Sequence, residues 1–185
     1  MKKYLCLTAL LLVLPGCALD QGELDQALAF RQTLTDAERI CFDVGITADY
    51  GDRVERFTLR CDTDQEGAMS FTVLHPAEIS GITGSVTGQQ GSLTFEDTVL
   101  AFPLLAQDRL SPVSGPWVLV QALKEGYITS CAREGEFLRL TVNDSYDADP
   151  LTLEIWIREN TVTAAEIGWR GMRQMTMEID NFSLV

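Results

Sequence analysis

The sequence predicts a mainly β, α+β fold: a curved antiparallel sheet or half-barrel, with an N-terminal helix and a central helix covering its concave side. Three observations predict it. From Ile40 to Ala48 apolar residues alternate with Cys41, Asp43, Gly45 and Thr47, the period of a half-buried strand. Short alternating runs of the same kind recur to the C-terminus, divided by turn pairs such as Tyr50-Gly51 and Glu134-Gly135. Helical spacing shows instead near the N-terminus, in Leu24, Ala27, Leu28, Arg31 and Leu34, and again between Ser114 and Gly126.

Before the first helix, Met1-Lys2-Lys3 gives a positive start and Leu5 to Leu14 is nearly all apolar. That is the layout of a secretory signal, too short to span a bilayer as a permanent helix. Val13-Leu14-Pro15-Gly16-Cys17 closes it, with a small residue directly before cysteine and leucine two places earlier. This stretch resembles the lipobox of bacterial lipoproteins. The resemblance implies cleavage after Gly16 and a diacylglycerol and further acyl groups such as palmitate on Cys17. Such a chain is anchored at the extracytoplasmic face of a bacterial membrane. A chance cysteine after an ordinary signal is the other reading of the same residues. The expected organisation is a signal at 1–16, the lipidated cysteine, tether and N-terminal helix at 17–35, and one half-barrel domain at 36–185.

Composition narrows the function classes. The 185 residues carry 27 acidic against 14 basic side chains, a net charge of −13. Loss of Lys2 and Lys3 with the signal makes the mature chain more acidic still and leaves Lys124 as its lysine. Such a surface is repelled by phosphates, so no nucleic-acid partner is expected, nor adsorption to anionic lipid by charge alone.

Along the chain, Thr35-Asp36 closes the first helix, with Phe30 off its apolar stripe. A two-residue turn at Tyr50-Gly51 would set Val44 against Phe57, Phe42 against Leu59 and Ile40 against Cys61, matching apolar to apolar. On the other face Cys41 would meet Arg60, and Cys41 and Cys61 would lie on opposite faces. Met69, Phe71 and Val73 point inward from a third strand ended by Pro76. Strands through Val86 and from Leu93 to Phe95 follow. Val99 to Leu110 is apolar but irregular and reads as a crossing segment or short helix over the sheet. Ser114 is the expected N-cap of the central helix, with Pro116 in its first turn. A hairpin turning at Glu134-Gly135 pairs Cys131 with Leu138. Strands 151–157, 162–169 and 173–179 complete the chain.

This order, with the Pro76…Gly81-Ile82-Thr83 turn and the Ser111-Pro112 helix, resembles the LolA/LolB-like lipoprotein-carrier family, especially its lipid-anchored relatives in spore-forming bacteria, including spore-germination lipoproteins. The resemblance covers most of residues 20–185. It implies a curved sheet with a helical lid over an apolar hollow that holds acyl chains, and the Cys17 anchor places this chain nearer the family's receptor kind than its soluble carrier.

No catalytic constellation stands out, and the chain is not expected to be an enzyme. His75 is the sole histidine, at a strand end, without a nucleophile motif. Glu55, Glu66, Glu78, Glu154 and Glu166 are scattered. Asp144, Asp147 and Asp149 lack the glycine and closing glutamate of a calcium loop, and three internal cysteines with one histidine make poor zinc material. No metal or cofactor is expected. If a disulfide forms, Cys61 with Cys131 is the preferred pair. Met172, Met175 and Met177 read as core filling or an adaptable wall, and Trp156 as exposed or covered by another layer. The expected ligand-binding residues are Phe102, Leu104, Leu105, Trp117, Val120 and Leu123, forming lid and hollow. Two functions remain open: binding a lipid or acyl chain in the hollow, or serving as a non-catalytic adaptor with a filled core that docks an envelope protein.

Overall fold

A computed structural model describes residues 21–88, 90–95, 98–103, 105–106 and 109–185. Cys17 and Leu104 lie outside these residues, as does the side chain of Leu105.

Helix α1 spans Gln21–Asp36 and buries Ala27, Phe30 and Leu34. Phe30 therefore belongs to the inward stripe, while Leu28 is exposed. The spacing 27, 30, 34 winds round the helix as well as 24, 28, 31 does, and the large ring wins the buried side.

Strands β1 (Arg39–Asp49) and β2 (Val54–Asp64) form the first hairpin. Its turn is wider than expected. Tyr50 N–H donates to the Arg53 carbonyl, and Gly51 N–H donates to the Asp49 carboxylate. Asp49 consequently opposes Val54, and the pairs are Ile46–Phe57, Val44–Leu59 and Phe42–Cys61. The register moved by an even step, so the same residues point inward. Outward, Asp43 faces Arg60 directly, 2.9 Å from its Nε, and Cys41 faces Asp62. Cys41 and Cys61 do lie on opposite faces, one half-buried and one buried.

Strands β3 (Met69–His75), β4 (Thr83–Thr87), β5 (Gln90–Phe95) and β6 (Thr98–Pro103) extend the sheet, with a 3-10 turn at Ala77–Ile79 after Pro76. Met69, Phe71 and Val73 are buried. The segment expected to cross the sheet is instead strand β6, followed by the short pair β7 (Leu105–Ala106) and β8 (Arg109–Leu110). The reason lies in hairpin pairing of β6 with the preceding strand β5. Phe102 lays its ring on Gly91, at the place a β-carbon would occupy, and Phe71 covers Gly84 in the same way.

A 3-10 turn at Pro112–Ser114 leads into helix α2, Gly115–Glu125. Ser114 does not cap it by its side chain; the preceding turn bonds Gly115 N–H to the Pro112 carbonyl and leaves the buried Ser114 hydroxyl without a partner. Strands β9 (Tyr127–Glu134) and β10 (Phe137–Asn143) turn at Gly135-Glu136, one step later than expected, because Gly135 supplies φ 59° there. Cys131 thus opposes Leu140 rather than Leu138. Strands β11 (Leu151–Arg158), β12 (Thr161–Trp169) and β13 (Met172–Leu184) finish the chain.

The strands form one antiparallel sheet of eleven, ordered β6-β5-β4-β3-β2-β1-β13-β12-β11-β10-β9, with β7 and β8 apart. The sheet is open: β6 and β9 are its ends, and β13 returns to pair with β1, the start of the domain. Inward residues of these strands share one core with Ala27, Phe30 and Leu34 of α1 and with Val118 to Val120, Ala122 and Leu123 of α2.

The Cys61–Cys131 bridge is not formed, and Cys41, Cys61 and Cys131 are free thiols. Cys61 on β2 and Cys131 on β9 are separated in the sheet by β1, β13, β12, β11 and β10. Shared inward orientation did not translate into adjacency.

Candidate functional site: the concave face and its open end

Across the sheet, directly opposed residues share a face. Ile40, Thr63, Met69, Val86, Gly91 and Phe102 make one inward row, and Cys61, Phe71, Gly84, Leu93 and Leu100 make the next. Helix α2 crosses over this side. Its start lies on Met175 and Met177 of β13, and its end on Val142 of β10, as the neighbours of Gly115 and Gly126 show. Trp117 Nε1 donates to the Gly67 carbonyl at 2.9 Å and ties the first turn of α2 to the β2–β3 loop. Arg31 joins the two helices: its Nε and Nη2 each donate at 2.8 Å, to the carbonyls of Leu123 and Gly126. Those are carbonyls that the end of α2 leaves without intrahelical partners. Burial pushes the Arg31 pKa down, while nearby Cys131 works the other way.

The helices close the middle of the concave face. Val120 and Leu123, expected to line the hollow, are buried at 2% and 4% exposure within the core. Trp117 is half-buried and committed to Gly67. Towards β6 the situation changes. Phe102 and Leu93 are half-buried, and on the same face Phe95 is 56% and Leu100 61% exposed. Phe95 follows Gly91 and Leu93 along β5 at period two, and Leu100 opposes Leu93. The free end of the sheet therefore presents an apolar shelf on the concave side. Of the expected residues only Phe102 belongs to it among those described. Phe95 and Leu100 were missed, because Val99-Leu100-Ala101-Phe102 is apolar on both faces and hides its period.

The outward face is polar and largely paired. Arg39 bridges to Asp62, Arg60 to Asp43, Arg139 to Glu134 and Glu154, and Arg173 to Glu166. Hydrogen bonds from Arg60 hold the Asp43 carboxyl below the usual range, helped by Asn181. Trp156 sits on this side, half-buried, and donates from Nε1 to Glu134 at 3.0 Å. Polar neighbours cover it, not a lid helix. In the acidic loop, Asp144 accepts from Leu151 N–H and closes the loop, while Asp149 pairs with Arg170 of the β12–β13 turn. Met175 and Met177 are core; Met172 is exposed at a hairpin tip. His75 is exposed. Among the described residues no group of three or more His, Cys, Asp or Glu side chains is placed to hold a metal, and no helix is long and apolar enough to cross a membrane.

No protein-family profile matches the sequence, and no curated protein matches it. Solved structures do resemble it in course of chain. An uncharacterized conserved protein from Thermus thermophilus aligns over 88% of this chain and 87% of its own, with TM-score 0.49 and 8% identity. A LolA superfamily protein from Nitrosomonas europaea aligns over 86% and 93%, with TM-score 0.45 and 9% identity. LolA-type structures stand among the neighbours. A chain from the complex of the CwlD amidase with the GerS lipoprotein of Clostridioides difficile aligns over 90% and 96%, with TM-score 0.42 and 11% identity.

Proposed function

We propose that this chain is an envelope lipoprotein, held at the outer face of a bacterial membrane by lipid on Cys17, that binds a lipid or acyl chain along the concave shelf of β5 and β6. The observation that supports the reading is the exposure of Phe95 and Leu100 beside half-buried Leu93 and Phe102, next to a concave face otherwise closed by helices. Water meets apolar surface there on the inside of the curve, where an acyl chain would add about 0.8 kcal/mol for each methylene it buries. The shelf carries no charge of its own, which suits a hydrocarbon tail and leaves a headgroup at the rim. An organic extract of the purified protein is expected to yield lipid, and the protein to bind a fluorescent fatty acid. Leu100→Glu is expected to weaken that binding roughly tenfold or more by placing a carboxylate on the shelf. An extract empty of lipid, together with no binding of the fluorescent probe, overturns the reading.

The adaptor reading has one observation in its favour. On the outward face a groove of about 420 Å³ is lined by Phe137, Trp156, Ala164, Thr176 and Glu178. Aromatic side chains beside a carboxylate suit a protein contact. Loss of partner recovery from membranes on Trp156→Ala, with fatty-acid binding intact, is the result that favours it.

A further inference from the structure

On the adaptor reading of the outward groove, we propose that its occupant is an arginine side chain from a basic segment of a partner protein, held between Trp156 and Glu178. Directly opposed residues cross the outer face in the order Arg139, Trp156, Ala164, Glu178, Gly45 and Thr58. A ring and an exposed carboxylate are thus parted by one methyl group, which forms the floor of the groove. Other carboxylates on this face draw an arginine from the neighbouring strand: Asp43 has Arg60, Asp62 has Arg39 and Glu154 has Arg139. Glu178 has Ala164 on one side and Gly45 on the other, and neither carries a charge. Its outward diagonal neighbours are Glu166, Asp43 and Thr47, and none of them is a cation. Asp180, next outward on β13, adds a second exposed carboxylate. Among the described residues no ion pair reaches Glu178. The sheet leaves a place for a cation open there, beside an aromatic wall.

Charge and ring together select the occupant. A purely apolar side chain would desolvate Glu178 and give it nothing in return. An anion, a phosphate included, would meet Glu178, Glu166 and a molecule of net charge −13. A basic segment is drawn to the same molecule from a distance. Among cations, a guanidinium lies flat on an aromatic ring and forks onto a carboxylate with one rigid plane, which an ammonium does not do. The chain already uses that stacking next to the groove. Arg139 lies over Trp156 at 6.0 Å and Arg158 over Phe137 at 5.5 Å from the ring centroids. Arg139 approaches Trp156 from β10, and the β12 side of the ring opens on the groove. An incoming arginine takes that open side, with its charge turned towards Glu178.

Fluorescence anisotropy of a labelled alanine–arginine peptide, titrated with the full-length chain in neutral detergent micelles, tests it. Saturable binding is expected, weakened roughly tenfold or more by Glu178→Lys and roughly fivefold by Trp156→Ala, with circular dichroism unchanged. Glu125→Lys makes the same change in net charge at the exposed end of α2, and binding is expected to stay within about twofold. The lysine counterpart of the peptide is expected to bind more weakly, and the citrulline counterpart, uncharged but of similar shape, not to bind. No binding of the arginine peptide, equal losses with Glu178→Lys and Glu125→Lys, or equal binding of the lysine or citrulline peptide overturns the proposal. A membrane partner lost with Trp156→Ala but kept with Glu178→Lys overturns it too and spares the adaptor reading. Fatty-acid binding by either variant reads the concave hollow separately.

Discussion

Arg31 shows what a single side chain does here. Its guanidinium satisfies two carbonyls at the end of α2 from a position on α1, at the expense of partial burial of a charge. Arg31→Ala would leave both carbonyls short of donors, and a loss of about 2–3 kcal/mol is expected in urea unfolding, with Arg31→Lys recovering part of it. Asp43 makes a pH prediction. Its carboxyl titrates below the usual range because Arg60 bonds the ionised form. A depressed folded pKa means a contribution that is complete above the unfolded value and is lost as pH falls through the folded one. Asp43→Asn is therefore expected to cost stability at pH 7 and much less at pH 2, measured as the difference in urea midpoint at each pH. Cys61 is buried and its thiol is pushed well up by that burial. Iodoacetamide followed by peptide mapping is expected to label Cys61 only after unfolding, while half-buried Cys41 labels in the native protein.

At the scale of elements, α1 and the β4–β5 hairpin are the instructive cases. Helical spacing in 24–34 is real, but two overlapping stripes fit it, and the choice fell to packing against α2 and β9. Phe30→Ala is expected to cost about 3–4 kcal/mol in urea unfolding and Leu28→Ala under about 0.5, the reverse of what the stripe through Leu28 predicts. In the hairpin, a β-carbon at Gly84 would fall 2.5 Å from the Ser92 carbonyl oxygen as well as into Phe71. Backbone cannot yield as a side chain can, so Gly84→Ala should lower stability by about 1–3 kcal/mol on thermal or urea unfolding. Both hairpin registers differed from expectation by an even step. Alternation specifies which face a residue takes; it does not specify how many residues the turn uses.

For the molecule as a whole, an open sheet gains closure on one end and leaves chemistry at the other. β9 is covered by α1, whereas β5 and β6 carry exposed apolar residues on both sides. If Cys17 is lipidated, Cys17→Ala is expected to release the protein from washed membranes into the soluble fraction, because so acidic a surface has no second attraction to anionic lipid.

By itself the sequence determined the class of fold, the inward face of nearly every strand and the place of both helices. Those follow from period, turn residues and order, which are local properties. Only the tertiary structure decided the strand order, the separation of Cys61 from Cys131, the conversion of residues 98–103 into an edge strand and the exposure of Phe95 and Leu100. These depend on which distant segments meet and on what is left uncovered when they do. Apolar spacing along a chain fixes what seeks shelter from water, and the packed whole fixes what fails to find it.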